Sequence, residues 1–218
     1  MTIGPLLADI RTRYGFDVVV IDDGSKDATA AIARENGAVV LPHLRALGAW
    51  KATQTGLRYA YSRSYEGVIT MDADGQHLPS EMAALLSKTD SVDVVIGSCI
   101  SRGSFLRHVA WKSFRVMSGI NVKDITSGFR LYNLAALRVL STKEATMLEF
   151  QDLGVLLLLR SLGLSIEEVN VDMDERISGK SRIFNSWFSV SSYMLTTAIV
   201  CLTKAIPLRD VRYLKRFY

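Results

Sequence analysis

Along the chain, apolar positions switch repeatedly between a helical repeat and short continuous runs, the pattern of helices alternating with buried strands. Ile3, Leu6, Leu7, Ile10 and Tyr14 fall on one helical face, with Thr2 placed to cap that helix and Gly15 to end it. A strand is predicted over Asp17 to Ile21. A second helix follows from Asp27 through Ala28, Ala31 and Ile32 to Gly37. Ala38 to Leu41 reads as a strand, Gly48 to Tyr61 as a longer helix, and Gly67 to Met71 as the next strand. Pro79 and Ser80 open a helix through Met82, Leu85 and Leu86, and Asp93 to Gly97 is a further buried strand. After that the alternation is harder to follow. The fold class expected is α/β, a mostly parallel sheet flanked by helices.

A chain of 218 residues, 49% of them hydrophobic, can bury one substantial core and a small appendage. The formal net charge of +4 suits anionic partners but does not choose among phosphates, nucleic acid and lipid headgroups. Cys99 and Cys201 lie far apart in apolar surroundings, with neither disulfide-framework nor zinc spacing; both read as core residues in a reducing compartment. Met1 to Tyr14 lacks the basic and then apolar pattern of a secretory signal. Trp187 to Ile206 is the stretch that raises a membrane question, yet it carries several Ser and Thr residues and Lys204, and reads as an interfacial or packed helix. Arg209, Arg212, Lys215 and Arg216 follow it, which suits either an anionic membrane surface or packing against protein.

The candidate chemistry sits where predicted strands end. Asp22, Asp23, Gly24, Ser25, Lys26 and Asp27 follow Val18 to Ile21, and Asp72, Ala73, Asp74, Gly75, Gln76 and His77 follow Met71. Open α/β sheets gather ligands at this rim. The first cluster also reads as a turn with Ser25 or Asp27 capping the next helix. In the second, two carboxylates at alternate positions of an extended segment would project to one side, a hard oxygen set suited to Mg²⁺ or Mn²⁺ with diphosphate oxygens. His77 reads as a loop hydrogen-bonder.

Val-Ile-Asp-Asp-Gly-Ser-Lys-Asp at 20 to 27, Asp-Ala-Asp-Gly-Gln-His at 72 to 77 with Pro79, Thr-Ser-Gly-Phe-Arg at 126 to 130, and Glu175 to Ser181 occur in order. Together they resemble the signatures of family 2 glycosyltransferases, in particular the branch of dolichol-phosphate mannosyltransferase and bacterial polyprenyl-phosphate sugar transferases. The resemblance spans roughly residues 1 to 183. It implies a GT-A, Rossmann-like catalytic domain over 1–183 and a C-terminal helical tail over 184–218. It implies that Asp22, Asp23 and Ser25 contact the donor nucleotide, that Asp72 faces ribose or metal, that Asp74 binds the metal and that Gln76 completes its shell. Arg176, Lys180 and Ser181 resemble the element that holds phosphate oxygens, work for which arginine's planar fork is suited. Arg130 either reaches the same crevice or pairs with a structural carboxylate such as Asp124.

The reaction implied is inverting transfer of a sugar from a UDP- or GDP-sugar to a polyprenyl phosphate or a glycan, with Mg²⁺ or Mn²⁺ as cofactor, in the cytoplasm or at the inner face of the cytoplasmic membrane. Should the acceptor be a hydroxyl, Asp152 and then Glu149 are the candidate bases, Asp152 being equally a cap for the apolar helix Leu153 to Leu162. Three departures stand out. The family's first strand, which ends in a Pro-x-x-Asn-Glu segment, is expected to be missing, because this sequence starts in what should be the following helix. Arg45 to Lys51 replaces the usual Asn-x-Gly run. Cys99 stands where the family often has arginine, with Arg102 and Arg107 nearby. The alternative is a nucleotide-sugar-binding protein without turnover. A nucleotidyltransferase would need an N-terminal glycine-rich phosphate loop, and a nucleic-acid binder a recognisable motif; this sequence shows neither.

Overall fold

The computed structural model describes residues 3–99, 120–148 and 153–174. Helix α1 spans Ile3–Tyr14, strand β1 Val19–Asp22, α2 Thr29–Glu35, β2 Val39–Pro42, α3 Ala49–Ser62 and β3 Gly67–Thr70. A 3₁₀ turn, Pro79–Glu81, leads into α4, Met82–Leu86, and then β4, Val94–Ser98. Beyond these come β5, Arg130–Asn133, α5, Leu134–Leu140, α6, Lys143–Thr146, α7, Leu153–Ser161, and β6, Ile166–Asn170. Gly15 ends α1 at φ +63°, a conformation that costs glycine nothing. The Asp27 carboxylate accepts the Thr29 N–H and hydroxyl at the start of α2.

The strands run mostly parallel, as expected, with β5 as the one antiparallel member among the described strands. β1 pairs with β2 in parallel, and a second sheet runs β3-β5-β4-β6. Within it β4 and β6 are parallel, while β5 lies antiparallel between β3 and β4. The hydrophobic pattern predicts the parallel units because each carries an apolar run and its crossover helix. It does not show β5, whose first residue is an arginine.

β4 shows why strand periodicity sorts side chains into two cores. Val94 and Ile96 point into a cluster with Trp50 and Leu57 of α3, Leu137 and Leu140 of α5, and Leu156 of α7. Val95 points the other way, to Leu6 and Ile10 of α1, Met82 and Leu85 of α4, and Phe129. Helices therefore cover both faces, the condition under which a strand is apolar throughout. Among the described residues no helix is long and apolar enough to cross a membrane.

Asp93, just ahead of β4, pins the opposite end of the sheet from the acidic clusters. Its Oδ2 accepts the Ser165 N–H and hydroxyl, each at 2.7 Å, and its Oδ1 accepts the Asn133 amide at 2.8 Å. Burial pushes this carboxyl up, but the Ser165 and Asn133 donors outweigh burial and hold it below the ordinary 3.8. The resulting stability is fully present above the unfolded value and is lost as pH falls through the lower folded value. Asp93→Asn should accordingly cost about 1–3 kcal/mol at neutral pH and flatten the acid limb of the stability profile below about pH 4, read by thermal melts at stepped pH.

Candidate functional site

The amino ends of β1 and β3 are joined by a hydrogen bond from the Tyr65 hydroxyl to Asp17 Oδ2 at 2.7 Å. The start of α3 lies at Asp23 and its middle at Ile21, so β1 runs against α3, and α3 ends beside Tyr65 where β3 begins; β1 and β3 thus start on one side, and the acidic clusters that follow them share the carboxyl rim. Asp22, the last residue of β1, is buried, and its Oδ1 accepts the Ser25 N–H at 2.9 Å, closing the turn. Ser25 is exposed on that turn. Gly24 is required there twice over, by φ +80° and by an approach that would put a Cβ 2.9 Å from the Ala46 nitrogen.

Asp23 is held by the loop after β2. Its Oδ1 accepts the Leu47 N–H at 2.7 Å and pairs with His43 Nδ1 at 2.8 Å, and its Oδ2 accepts the Gly48 N–H at 2.8 Å. Burial raises this carboxyl, but the Leu47, His43 and Gly48 contacts prevail and keep it below 3.8. His43 Nε2 lies 3.0 Å from the Thr55 hydroxyl of α3, which fixes the imidazole in turn. The departure at Arg45 to Lys51 is thus where Asp23 is oriented, through backbone donors that no side-chain motif reveals. The sequence pattern does not single out His43 as a site residue. Its signal is its position directly after β2, on the same rim.

Asp72 and Asp74 do not lie in an extended segment, as the alternate spacing predicts. β3 ends at Thr70, and Ala73 to Gln76 form a turn with Gly75 at φ +86°. Asp72 is exposed, Asp74 half-buried, and Asp74 Oδ1 accepts the Gln76 N–H at 3.1 Å. His77 is buried beneath them. Its Nδ1 accepts the Asp72 N–H at 2.8 Å, and its ring stacks on Phe129 at 5.1 Å between centroids. The chain beyond β6 closes over this turn: His77 bridges Met173, and the Asp174 N–H donates to the Gln76 carbonyl at 3.0 Å.

Arg130 braces the loop that precedes β5. It is fully buried, with Nε donating to the Ser127 carbonyl and Nη2 to the Ile125 carbonyl, both at 2.8 Å. The Thr126 to Arg130 motif serves the site indirectly, since Phe129 carries the ring of His77 and the Thr70 hydroxyl bonds the Gly128 carbonyl. Glu149, Asp152, Arg176, Lys180, Ser181, Arg102, Arg107, Cys201 and the tail 184–218 lie outside the described residues.

Residues 2–144 match the sequence profile of glycosyl transferase family 2. The chain belongs to that family. An undecaprenyl-phosphate mannosyltransferase of Micrococcus luteus is 32% identical over 184 residues, covering 77% of this chain and 75% of the relative. The polyprenol monophosphomannose synthase of Mycolicibacterium smegmatis is 30% identical over 190 residues, covering 78% and 71%. Among solved structures, glucosyl-3-phosphoglycerate synthase from Mycobacterium tuberculosis, in complex with Mn²⁺, UDP-glucose and phosphoglyceric acid, aligns with a TM-score of 0.67 at 20% identity, over 95% of this chain and 76% of that one. The fold is that of GT-A glycosyltransferases, and this family 2 member is a glycosyltransferase.

His77→Ala tests how far the family's acidic turn depends on the ring beneath it. Should the turn hold a divalent cation, removing the acceptor for the Asp72 N–H and the Phe129 stack would weaken Mn²⁺ binding in the presence of UDP about tenfold, the low end of the usual cost for outer partners of metal ligands. His77→Asn, whose amide oxygen can accept the same N–H, should recover part of the loss in a Mn²⁺ titration followed by electron paramagnetic resonance.

Proposed function

We propose that this chain transfers a sugar, with inversion, from a UDP- or GDP-sugar to a polyprenyl phosphate, using Mg²⁺ or Mn²⁺ at the Asp72 to His77 turn. The observation that carries the reading is the rim itself. Asp23, locked as an ionised acceptor at the end of β1, and the carboxylates after β3 share one edge of the fold, and the chain ahead of Arg176 is tied to that turn at Asp174.

The donor set fits a hard divalent cation. Asp72, Asp74 and the Gln76 amide offer oxygen within one short turn. No group of three His, Cys, Asp or Glu is preassembled among the described residues, so diphosphate oxygens and water would complete the shell. When bound, such an ion would offset charge on the departing nucleoside diphosphate. Asp22 and Ser25 shape the turn that presents Asp23 to the base or ribose. His77 holds the backbone of Asp72, and Arg176, Lys180 and Ser181 supply phosphate contacts. A phosphate acceptor is already ionised, so this reaction needs no base from Asp152.

The Micrococcus and Mycolicibacterium relatives are named for polyprenyl-phosphate acceptors, which supports the acceptor class. The Mycobacterium neighbour was crystallised with Mn²⁺ and UDP-glucose, which supports the cofactor and donor class. Peripheral attachment at the inner face of the cytoplasmic membrane, through the tail 184–218, belongs to the same proposal. Incubation with labelled UDP-glucose or GDP-mannose, undecaprenyl phosphate in detergent and Mn²⁺ should give organic-extractable label that needs the metal, with the anomeric configuration inverted by NMR. Absence of lipid-linked label from either donor, while label appears on a soluble sugar acceptor, would reject the polyprenyl-phosphate assignment.

A further inference from the structure

Leu44, Leu47 and Met147 are large apolar side chains left in water. Leu44 is fully exposed, Met147 86% and Leu47 47% exposed. A single exposed leucine is ordinary, so what matters is where the three lie. The His43 ring reaches the Thr55 hydroxyl of α3, and the Lys51 ammonium donates to the Thr146 carbonyl. Lys51 and Thr55 stand one turn apart on the same stripe of α3, and the Thr55 hydroxyl lies 2.9 Å from the Lys51 carbonyl. Leu44 follows His43 and Met147 follows Thr146, so both emerge over that stripe. Leu47 lies just ahead of α3, with its N–H on Asp23. All three therefore crown the amino end of α3, on the carboxyl rim beside Asp23.

The backbone that presents them is anchored. Trp50 is buried and its Nε1 donates to the Ala145 carbonyl at 3.1 Å, and an Arg58 Nη2 donates to the Thr146 hydroxyl at 2.7 Å. Their polar neighbours are mainly cations. Arg45 is exposed between the two leucines, Lys143 is exposed one helical turn before Met147, and Lys51 is half-buried. The carboxylates beside them are Glu144, which is exposed, and Asp23, which is already engaged by His43 and two backbone N–H groups.

Apolar tips set among cations match the interface of an anionic bilayer, where acyl chains lie directly beneath phosphates. A protein partner fits less well. A stable protein interface covers about 800 Å² on each partner with close shape complementarity, and three protruding side chains fall short of that, whereas a fluid bilayer accepts separate tips.

We propose that Leu44, Leu47 and Met147, with Arg45 and Lys143, dock the carboxyl rim of the domain on an anionic bilayer surface. The inference rests on the polyprenyl-phosphate reading, since a lipid acceptor presents its phosphate at that surface and docking by this rim turns the donor site toward it. So small a contact orients the domain without anchoring it, and it fixes which side faces lipid, which attachment through the tail 184–218 does not.

An environment-sensitive dye on Leu44→Cys, in the full chain carrying Cys201→Ser, tests the proposal; the same dye on Ser91→Cys, an exposed position ahead of β4 at the opposite end of the sheet, is the control. Vesicles of equal parts phosphatidylglycerol and phosphatidylcholine should brighten and blue-shift the dye at 44, and a nitroxide lipid labelled near the headgroup should quench it, while the dye at 91 stays unchanged. Phosphatidylcholine alone should bind about tenfold more weakly, as should the Leu44-labelled chain carrying Met147→Glu, with UDP affinity unaltered. A dye at 44 that stays in water while the chain floats with the vesicles would overturn the proposal. A blue shift that needs no vesicles and grows with protein concentration would overturn it too, by assigning the patch to a second copy. Lipid-linked sugar formed in vesicles with the dye at 44 in water would strike the docking alone, and dye insertion without lipid-linked sugar would strike the acceptor assignment alone.

Discussion

Asp74→Ala is expected to lower sugar transfer about a hundredfold or more while leaving the melting temperature within a few degrees of the parent. Asp74 is a half-buried residue of a surface turn, and its carboxylate accepts the Gln76 N–H at 3.1 Å. Such a bond is worth about 1 kcal/mol net, so the fold should survive without it. On the proposed reading, removal of the carboxylate would take a hard anionic ligand from the cation, and with it stabilisation of the leaving diphosphate. Asp74→Asn separates the two roles. It keeps an oxygen for the Gln76 N–H but removes the charge, and it should be nearly as inactive as the alanine variant. Steady-state transfer at several Mn²⁺ concentrations reads the difference. Activity restored to the Asn variant by excess metal would show weakened ligation, whereas full activity of both variants at ordinary metal would remove Asp74 from the site.

Arg130→Met should destabilise the fold by about 3–5 kcal/mol, a larger effect on stability than that of Asp93→Asn. The guanidinium has no solvent exposure, and it donates charge-assisted bonds to the carbonyls of Ile125 and Ser127. Methionine fills part of the volume but leaves both carbonyls without that donor. Bonds to a charged group contribute about 1.5–3 kcal/mol each, which sets the range. Arg130→Lys should not rescue, because a single ammonium cannot reproduce the fork that spans two carbonyls. Denaturant midpoints measure the loss. Nucleotide affinity per folded molecule should stay within about twofold; a large loss of affinity with normal stability would instead make Arg130 a donor contact.

The parts of the fold that are legible from sequence are those in which each apolar run has its own punctuation. β1, β2, β3 and β4 fall within one or two residues of their predicted bounds because each is a short apolar run bounded by glycine, proline or acidic residues. The pattern puts Asp17 in β1, but it lies ahead of the strand, where its carboxylate serves Tyr65. β5 escapes because a buried arginine interrupts the apolar pattern. The carbonyls that make it tolerable come from the loop before it, a contact that periodicity cannot show. The acidic clusters are legible as rim residues, yet their local geometry is not. Alternate spacing suggests an extended pair at Asp72 and Asp74, while Gly75 at positive φ makes the segment a turn, and that glycine is the available signal. The support of Asp23 by His43, Leu47 and Gly48 joins residues far apart along the chain, and such pairing emerges only when β2 lies beside β1.

The most direct measurement is calorimetric titration of the chain with UDP and with GDP, each in the presence and absence of Mn²⁺, with Asp74→Ala in parallel. Binding of one nucleotide that requires Mn²⁺ and disappears in the variant is the expected result. Equal affinity with and without the metal, unchanged in the variant, would contradict a metal-bridged donor site at the carboxyl ends of β1 and β3.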